Sequence, residues 1–172
     1  FASAEKDLYA AIKQSRKSYT VYRTLYSALE AQGKDDEAKQ VLNDALQLSG
    51  SSSEDYYNRG MIYVDLQDYT NAADMLNKSY DKGYKAALLG LGEVSYTQQD
   101  YDTALTYYGK YFDEVDISSV DASLAAKAYN QYAAVLLAKG EYEKAAQACE
   151  SGLTYNDRES DAALSFNLIV SY

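Results

Sequence analysis

A short pattern returns along this chain at a spacing that leaves few folds open. It reads Asp68-Tyr69-Thr70-Asn71-Ala72, then Asp100-Tyr101-Asp102-Thr103-Ala104, then Glu141-Tyr142-Glu143-Lys144-Ala145, with a weaker copy at Lys34-Asp35-Asp36-Glu37-Ala38. Each copy runs from an acidic or polar turn to a small residue. Ala4, Ala38, Ala72, Ala104 and Ala145 follow one another at intervals of 34, 34, 32 and 41 residues. Self-similarity at such a period is the signature of a repeat architecture, in which each unit buries its apolar face only by stacking on its neighbours.

Four residues after the alanines stand Leu8, Leu42, Leu76, Tyr108 and Cys149, and seven after them Ala11, Ala45, Ser79, Tyr111 and Gly152. Offsets of 0, 4 and 7 mark one face of an α-helix. Twelve residues before the alanines, from the second onward, stand Tyr26, Gly60, Gly92 and Ala133, and four residues ahead of those Tyr22, Tyr56, Leu88 and Tyr129. Each unit is therefore expected to be two amphipathic helices, A and B, with a small residue where the pair crosses. Helix A is predicted at 18–32, 54–66, 85–98, 121–139 and 161–172, and helix B at 1–15, 35–48, 69–82, 101–113 and 141–154. Asp68 and Asp100 are placed to cap helix starts, and Gly33, Gly83 and Gly140 to end helices. The wide interval after Ala104 is assigned to a short loop at 114–119 and a longer helix A. With no proline and nine glycines in 172 residues, the helices can run without interruption.

These residues resemble the tetratricopeptide-repeat family. The second unit supplies Tyr56, Gly60, Tyr63, Tyr69, Ala72 and Leu76; the third Leu88, Leu91, Gly92, Tyr101, Ala104 and Tyr108; the fourth Tyr129, Ala133, Leu136, Tyr142 and Ala145. The chain departs from the pattern by lacking the family's proline after helix B, with Gly50, Tyr84, Asp116 and Asp157 there instead. Tyr26 fills a small-residue site, and Arg59 replaces the usual leucine before Gly60. The resemblance implies an all-α fold: a right-handed α-solenoid of about four to five stacked antiparallel helix pairs. It would be one domain over 1–172, with partial repeats at 1–17 and 159–172, as in a fragment of a bacterial protein.

Composition narrows the function. A net charge of −10 argues against nucleic acid or an anionic membrane as the partner. The absence of histidine removes Ser-His-Asp and Cys-His catalysis and imidazole metal sites. Cys149, the only cysteine, excludes an internal disulfide and a thiolate metal cage, and its helix B core position fits a buried small hydrophobe. The acids at Asp35, Asp36 and Glu37 fit a helix start, and Asp113, Glu114 and Asp116 lack a calcium-loop spacing. No catalytic, cofactor or metal site is expected, and the chain is read as a non-enzyme. The abundance of tyrosine, aspartate and serine suggests an extracellular or cell-surface bacterial protein.

In this family the helix A face lines an inner groove, so the resemblance implies a protein- or peptide-binding scaffold. The groove candidates are Arg23, Ser27, Tyr57, Asn58, Met61, Asp65, Glu93, Tyr96, Asn130 and Gln131. Arg23 and Asn58 match two positions of the family's carboxylate clamp, but Ser27, Ala86 and Gly90 stand where Asn, Lys and Arg are needed, so the clamp is not expected. Of twenty tyrosines, Tyr22, Tyr56, Tyr63, Tyr69, Tyr101, Tyr108, Tyr129, Tyr142 and Tyr172 fall on core positions. Tyr57 and Tyr96 do not, and they carry the alternative reading of a glycan- or solute-binding surface. Terminal helices without a partner would expose apolar faces open to self-association.

Overall fold

The computed structural model describes residues 2–13, 18–155 and 158–171. Expectations attached to Phe1, Ser15, Asp157 and Tyr172 lie outside them. The described residues form helices and no strand. The chain divides into two compact units, 1–84 and 85–172.

The first unit contains α1 (Ala2–Lys13), α2 (Tyr19–Glu30), α3 (Asp35–Ala45), α4 (Ser53–Asp65) and α5 (Tyr69–Asp81). Each packs on the next, closely within the α2–α3 and α4–α5 hairpins. The core gathers Tyr19, Tyr22, Leu25, Leu29, Ala38, Val41, Leu42 and Ala45 with Ile62 of α4, and Leu8 and Ile12 of α1 pack against it. The second unit contains α6 (Ala87–Thr97), α7 (Tyr101–Glu114), α8 (Ala122–Ala138), α9 (Tyr142–Leu153) and α10 (Arg158–Ser171). Here α6 pairs with α7, α8 with α9, and α10 rests on both α8 and α9. The residues added after Ala104 form a 3-10 turn at Ile117–Ser119 and lengthen α8, which Asp121 caps by accepting from Leu124 N at 2.9 Å.

Local chemistry sets the hairpins. Asp68 and Asp100 accept from the backbone of Asn71 and Thr103, each at 3.1 Å, satisfying amide groups that a helix start leaves open. Ser52 and Asp55 close a reciprocal capping box on α4. At the exits Gly33, Gly83 and Gly140 adopt φ of 70°, 94° and 75°, the left-handed conformation glycine reaches without a steric penalty. Gln67 and Gln99 adopt the same conformation, with φ of 61° and 62°. There the following amides, of Asp68 and Asp100, close the turn on Tyr63 O and Ser95 O at 2.9 Å. Those bonds compensate a backbone state costing non-glycine residues about 1–2 kcal/mol.

The small residues lie where the repeat requires them: Ala38, Ala72, Ala104, Ala145 and Ala133 are buried, as are Gly60 and Gly92. A Cβ placed on Gly60 would stand 2.7 Å from Leu76 Cγ, and one on Gly92 2.6 Å from Tyr108 Cζ. The glycine of helix A is thus a socket, and the residue sixteen positions later on helix B is its plug. Where Tyr26 occupies the socket position, its ring is half-buried and its hydroxyl donates to Glu30.

Three expectations are corrected. Tyr142 is 54% exposed, not core. Tyr101, at the same repeat position, lies 5.8 Å from the Tyr96 ring, whereas the residue equivalent to Tyr96 ahead of Tyr142 is Leu137, and the Tyr142 ring lies beside Gly140 instead. Ala87, which the repeat register places off the closest helix crossing and so predicts to tolerate a larger side chain, sits in the α6 core with no exposure. The last helix begins at Arg158, three residues before the expected start.

Candidate functional site

The helix A faces of the two units carry the groove candidates, and each unit groups its own. In the first, Thr20, Arg23, Thr24 and Ser27 of α2 and Asn58 of α4 line an open depression of about 320 Å3. Its charges are settled within the unit: Arg23 Nε donates to Asp65 Oδ2 at 3.2 Å. Ser27 Oγ turns onto its own helix, donating to Arg23 O at 3.2 Å. Tyr57 is half-buried with its ring 4.9 Å from that of Tyr84, and Met61 is buried. Arg59, anomalous in the repeat pattern, bridges instead: its Nε donates to Tyr19 OH at 3.0 Å, its Nη2 donates to Gly50 O, and its guanidinium lies 5.1 Å from the centre of the Tyr56 ring.

In the second unit, Glu93, Tyr96 and Thr97 of α6 meet Tyr108 of α7 and Asn130, Gln131 and Ala134 of α8 around a cavity of about 280 Å3. Gln131 Nε2 donates to Glu93 Oε2 at 3.1 Å. Gln131 Oε1 is buried and has no hydrogen-bond partner. Among the described residues no lysine or arginine pairs with Glu93. Asn130 is oriented from outside the cavity, its Oδ1 accepting from Asn167 Nδ2 at 2.9 Å. Tyr96 is 38% exposed at the rim. The Tyr108 phenol is pushed up from its ordinary pKa, first by burial and then by the nearby Glu93 and Tyr96.

The remaining chemistry-bearing groups have structural partners. Asp35, Asp36 and Glu37 occupy the first turn of α3. Asp116 caps the 3-10 turn through Ser118 N at 3.1 Å, and Glu114 pairs with Lys85. Cys149 is fully buried, and burial followed by the Glu150 charge raises its thiol pKa. Among the described residues no group of three or more acidic or cysteine side chains could hold a metal, and no helix is long and apolar enough to cross a membrane. The periodicity did not bring out an aromatic ladder in the second unit. Phe112 stacks on Tyr129 at 4.8 Å, and Tyr129 on Tyr155 at 6.1 Å. Its only sequence signal was Phe112 four residues after Tyr108. On α10, Phe166, Ile169 and Val170 are exposed.

Residues 57–116 match the family model described as tetratricopeptide repeat. Among curated proteins none matches the chain. Solved structures share the fold at low identity. The chain is similar to MamA (19% identity, TM-score 0.54), covering 91% of this chain and 89% of that one. It is similar to YrrB, a TPR protein with an unusual peptide-binding site (22%, TM-score 0.55), covering 96% of this chain and 81% of that one. It is also similar to the Cut9–Hcn1 hetero-tetramer of the APC/C (18%, TM-score 0.67), covering 98% of this chain but 33% of that one.

Proposed function

Because this chain is a tetratricopeptide-repeat protein, we propose that it is a non-enzymatic scaffold that binds a protein or peptide segment along its helix A faces. The observation that carries the reading is the partly open cavity of about 280 Å3 between α6 and α8, lined by Glu93, Tyr96, Asn130, Gln131 and Ala134. Such a mixed polar and apolar face suits an extended peptide, whose backbone hydrogen-bonds while its side chains pack. Arg23, Ser27, Tyr57, Asn58 and Asp65 form the contact surface of the first unit, and Glu93, Tyr96, Asn130 and Gln131 that of the second. Met61 contributes packing beneath it. Arg23 is engaged by Asp65, which leaves no carboxylate clamp there.

The glycan reading has weaker support. A sugar needs an open aromatic face; Tyr57 packs against Tyr84, and Tyr96, though 38% exposed, has its ring 5.8 Å from that of Tyr101. The partner is a polypeptide, not nucleic acid, given the net charge of −10. The exposed apolar residues of α10 are a surface through which two copies would associate.

A random peptide array probed with the whole chain, alongside a glycan array, tests this. The expected result is peptide binding that weakens in Asn58→Ala and in Tyr96→Ala, with no retained sugar. Binding only to glycans, lost in Tyr57→Ala or Tyr96→Ala, would reverse the assignment.

A further inference from the structure

The repeat register asks for a leucine before Gly60, and the chain places Arg59 there. A half-buried guanidinium needs partners for its donors, and Arg59 finds them outside its own helix. Its Nε donates to Tyr19 OH of α2 at 3.0 Å, and its Nη2 donates to Gly50 O in the connection between α3 and α4. The Tyr19 hydroxyl in turn donates to Leu48 O at 3.5 Å. One guanidinium and one phenol thereby serve two carbonyls of a connection that lies outside the helices. The Tyr56 ring, one turn earlier on α4, has its centre 5.1 Å from the guanidinium. Helix α4 enters the apolar core of α2 and α3 with Ile62, and Leu66 packs against it. Both follow Gly60 in the chain; ahead of Gly60 the Arg59 fork makes the link.

We infer that Arg59 is the positioning residue of the first unit's groove, a latch that fixes the wall formed by Tyr19 and the connection 46–52. Tyr19, Leu48 and Ser49 line a depression of about 500 Å3 together with Asn58, and Asn58 also lines the depression of about 320 Å3 beside Arg23. The groups that Arg59 grips therefore bound the space that Asn58 lines. A leucine at this position would pack but donate nothing, leaving Tyr19 OH and Gly50 O to water. A lysine would keep the charge, but a point charge on a flexible stem does not reproduce a planar fork that spans two acceptors. A wall fixed in advance spares a bound segment the cost of ordering it. This rests on the peptide-binding reading above, and it adds the residue that shapes that surface.

The test combines amide hydrogen exchange, urea unfolding and the peptide array, all on the whole chain. Arg59→Leu installs the residue that the repeat favours, so the urea midpoint should stay unchanged or rise. The amides of Leu48 and Ser52 are bonded to Ala45 O at 3.1 Å and to Asp55 Oδ2 at 2.9 Å. In Arg59→Leu they should nevertheless exchange about tenfold faster, the factor equivalent to one lost hydrogen bond to a charged group. Arg59→Lys should show the same local acceleration, and it decides the matter if the leucine variant fails to fold. Peptides whose binding depends on Asn58 should bind either variant about threefold more weakly or worse. Unchanged exchange at Leu48 and Ser52, or an acceleration spread through the first unit with a lowered midpoint, would overturn the latch. Local acceleration with undiminished peptide binding would overturn its positioning role. No peptide binding by the unaltered chain would overturn the scaffold reading, and exchange alone would then decide the latch.

Discussion

The hairpins α4–α5 and α6–α7 solve one packing problem with different plugs, and the faces above them differ in charge, one neutralised and one negative. Both set a glycine of helix A under a bulky residue of helix B, leucine in the first unit and tyrosine in the second. Above α4 the charges cancel, Arg23 against Asp65. Above α6, Glu93 meets only a neutral carboxamide. The difference separates two levels of constraint. Repeat register dictates where backbones approach, while the side chains of the inner face vary without disturbing the stack.

The largest expected effect comes from removing the plugs. Tyr108→Ala should lower unfolding free energy by about 3–5 kcal/mol and Leu76→Ala by about 2–5 kcal/mol, because both side chains are fully buried and leave cavities. Urea unfolding measures both, and an effect below 1 kcal/mol at either site would break the equivalence. Overpacking the crossings comes next. Ala72→Leu and Ala104→Leu should each cost about 1–3 kcal/mol, while Ala163→Leu on the exposed side of α10 stays within about 0.5 kcal/mol. Equal thermal midpoints for the three would contradict the register.

The charge contrast predicts smaller effects. Arg23→Gln should cost up to about 1 kcal/mol, since the Arg23 and Asp65 side chains are 39% and 20% exposed and partly screened by solvent. Glu93→Gln, which loses no ion pair, should leave stability within about 0.5 kcal/mol. A larger loss at Glu93 than at Arg23 would reverse the comparison.

The helix caps should not distinguish the units. The Asp68 and Asp100 carboxyls are held below the usual carboxylate range, first by side-chain hydrogen bonds from Asn71 and Thr103 and then by the backbone amides of the same residues. A lowered folded-state pKa contributes stability above the unfolded value, and that contribution disappears as pH falls through the folded one. The window lies below about pH 4. Asp68→Asn with Asp100→Asn should retain capping and flatten the acid limb of thermal midpoint against pH. An unchanged limb would remove these caps from the acid response.

What the sequence made legible was whatever a helix decides locally. The alanine register, the caps at Asp68 and Asp100 and the glycine exits at 33, 83 and 140 depend on residues within a turn or two. Gln67 and Gln99 were not legible as left-handed residues, because a backbone bond closing the turn, and not residue preference, holds them there. Tyr142 was misplaced since its burial depends on what an earlier helix offers, a ring for Tyr101 and none for it. The candidates on the inner face follow from helix A register together with the groove that the family resemblance implies. Which of them meet depends on helix packing: Glu93 and Gln131 are 38 residues apart, and only the fold turns one amide so that its oxygen is left without a donor.

The socket-and-plug relation can be tested by exchanging one solution for another. In α8–α9 the equivalent positions hold Ala133 and Cys149, both fully buried in one cluster. Gly92→Ala alone forces a methyl to 2.6 Å from the Tyr108 ring, and Tyr108→Cys alone leaves a cavity. In a double-mutant cycle read by urea unfolding, the pair should recover about 0.5–3 kcal/mol relative to the sum of the single variants. Strictly additive losses would mean that the two residues do not share the crossing.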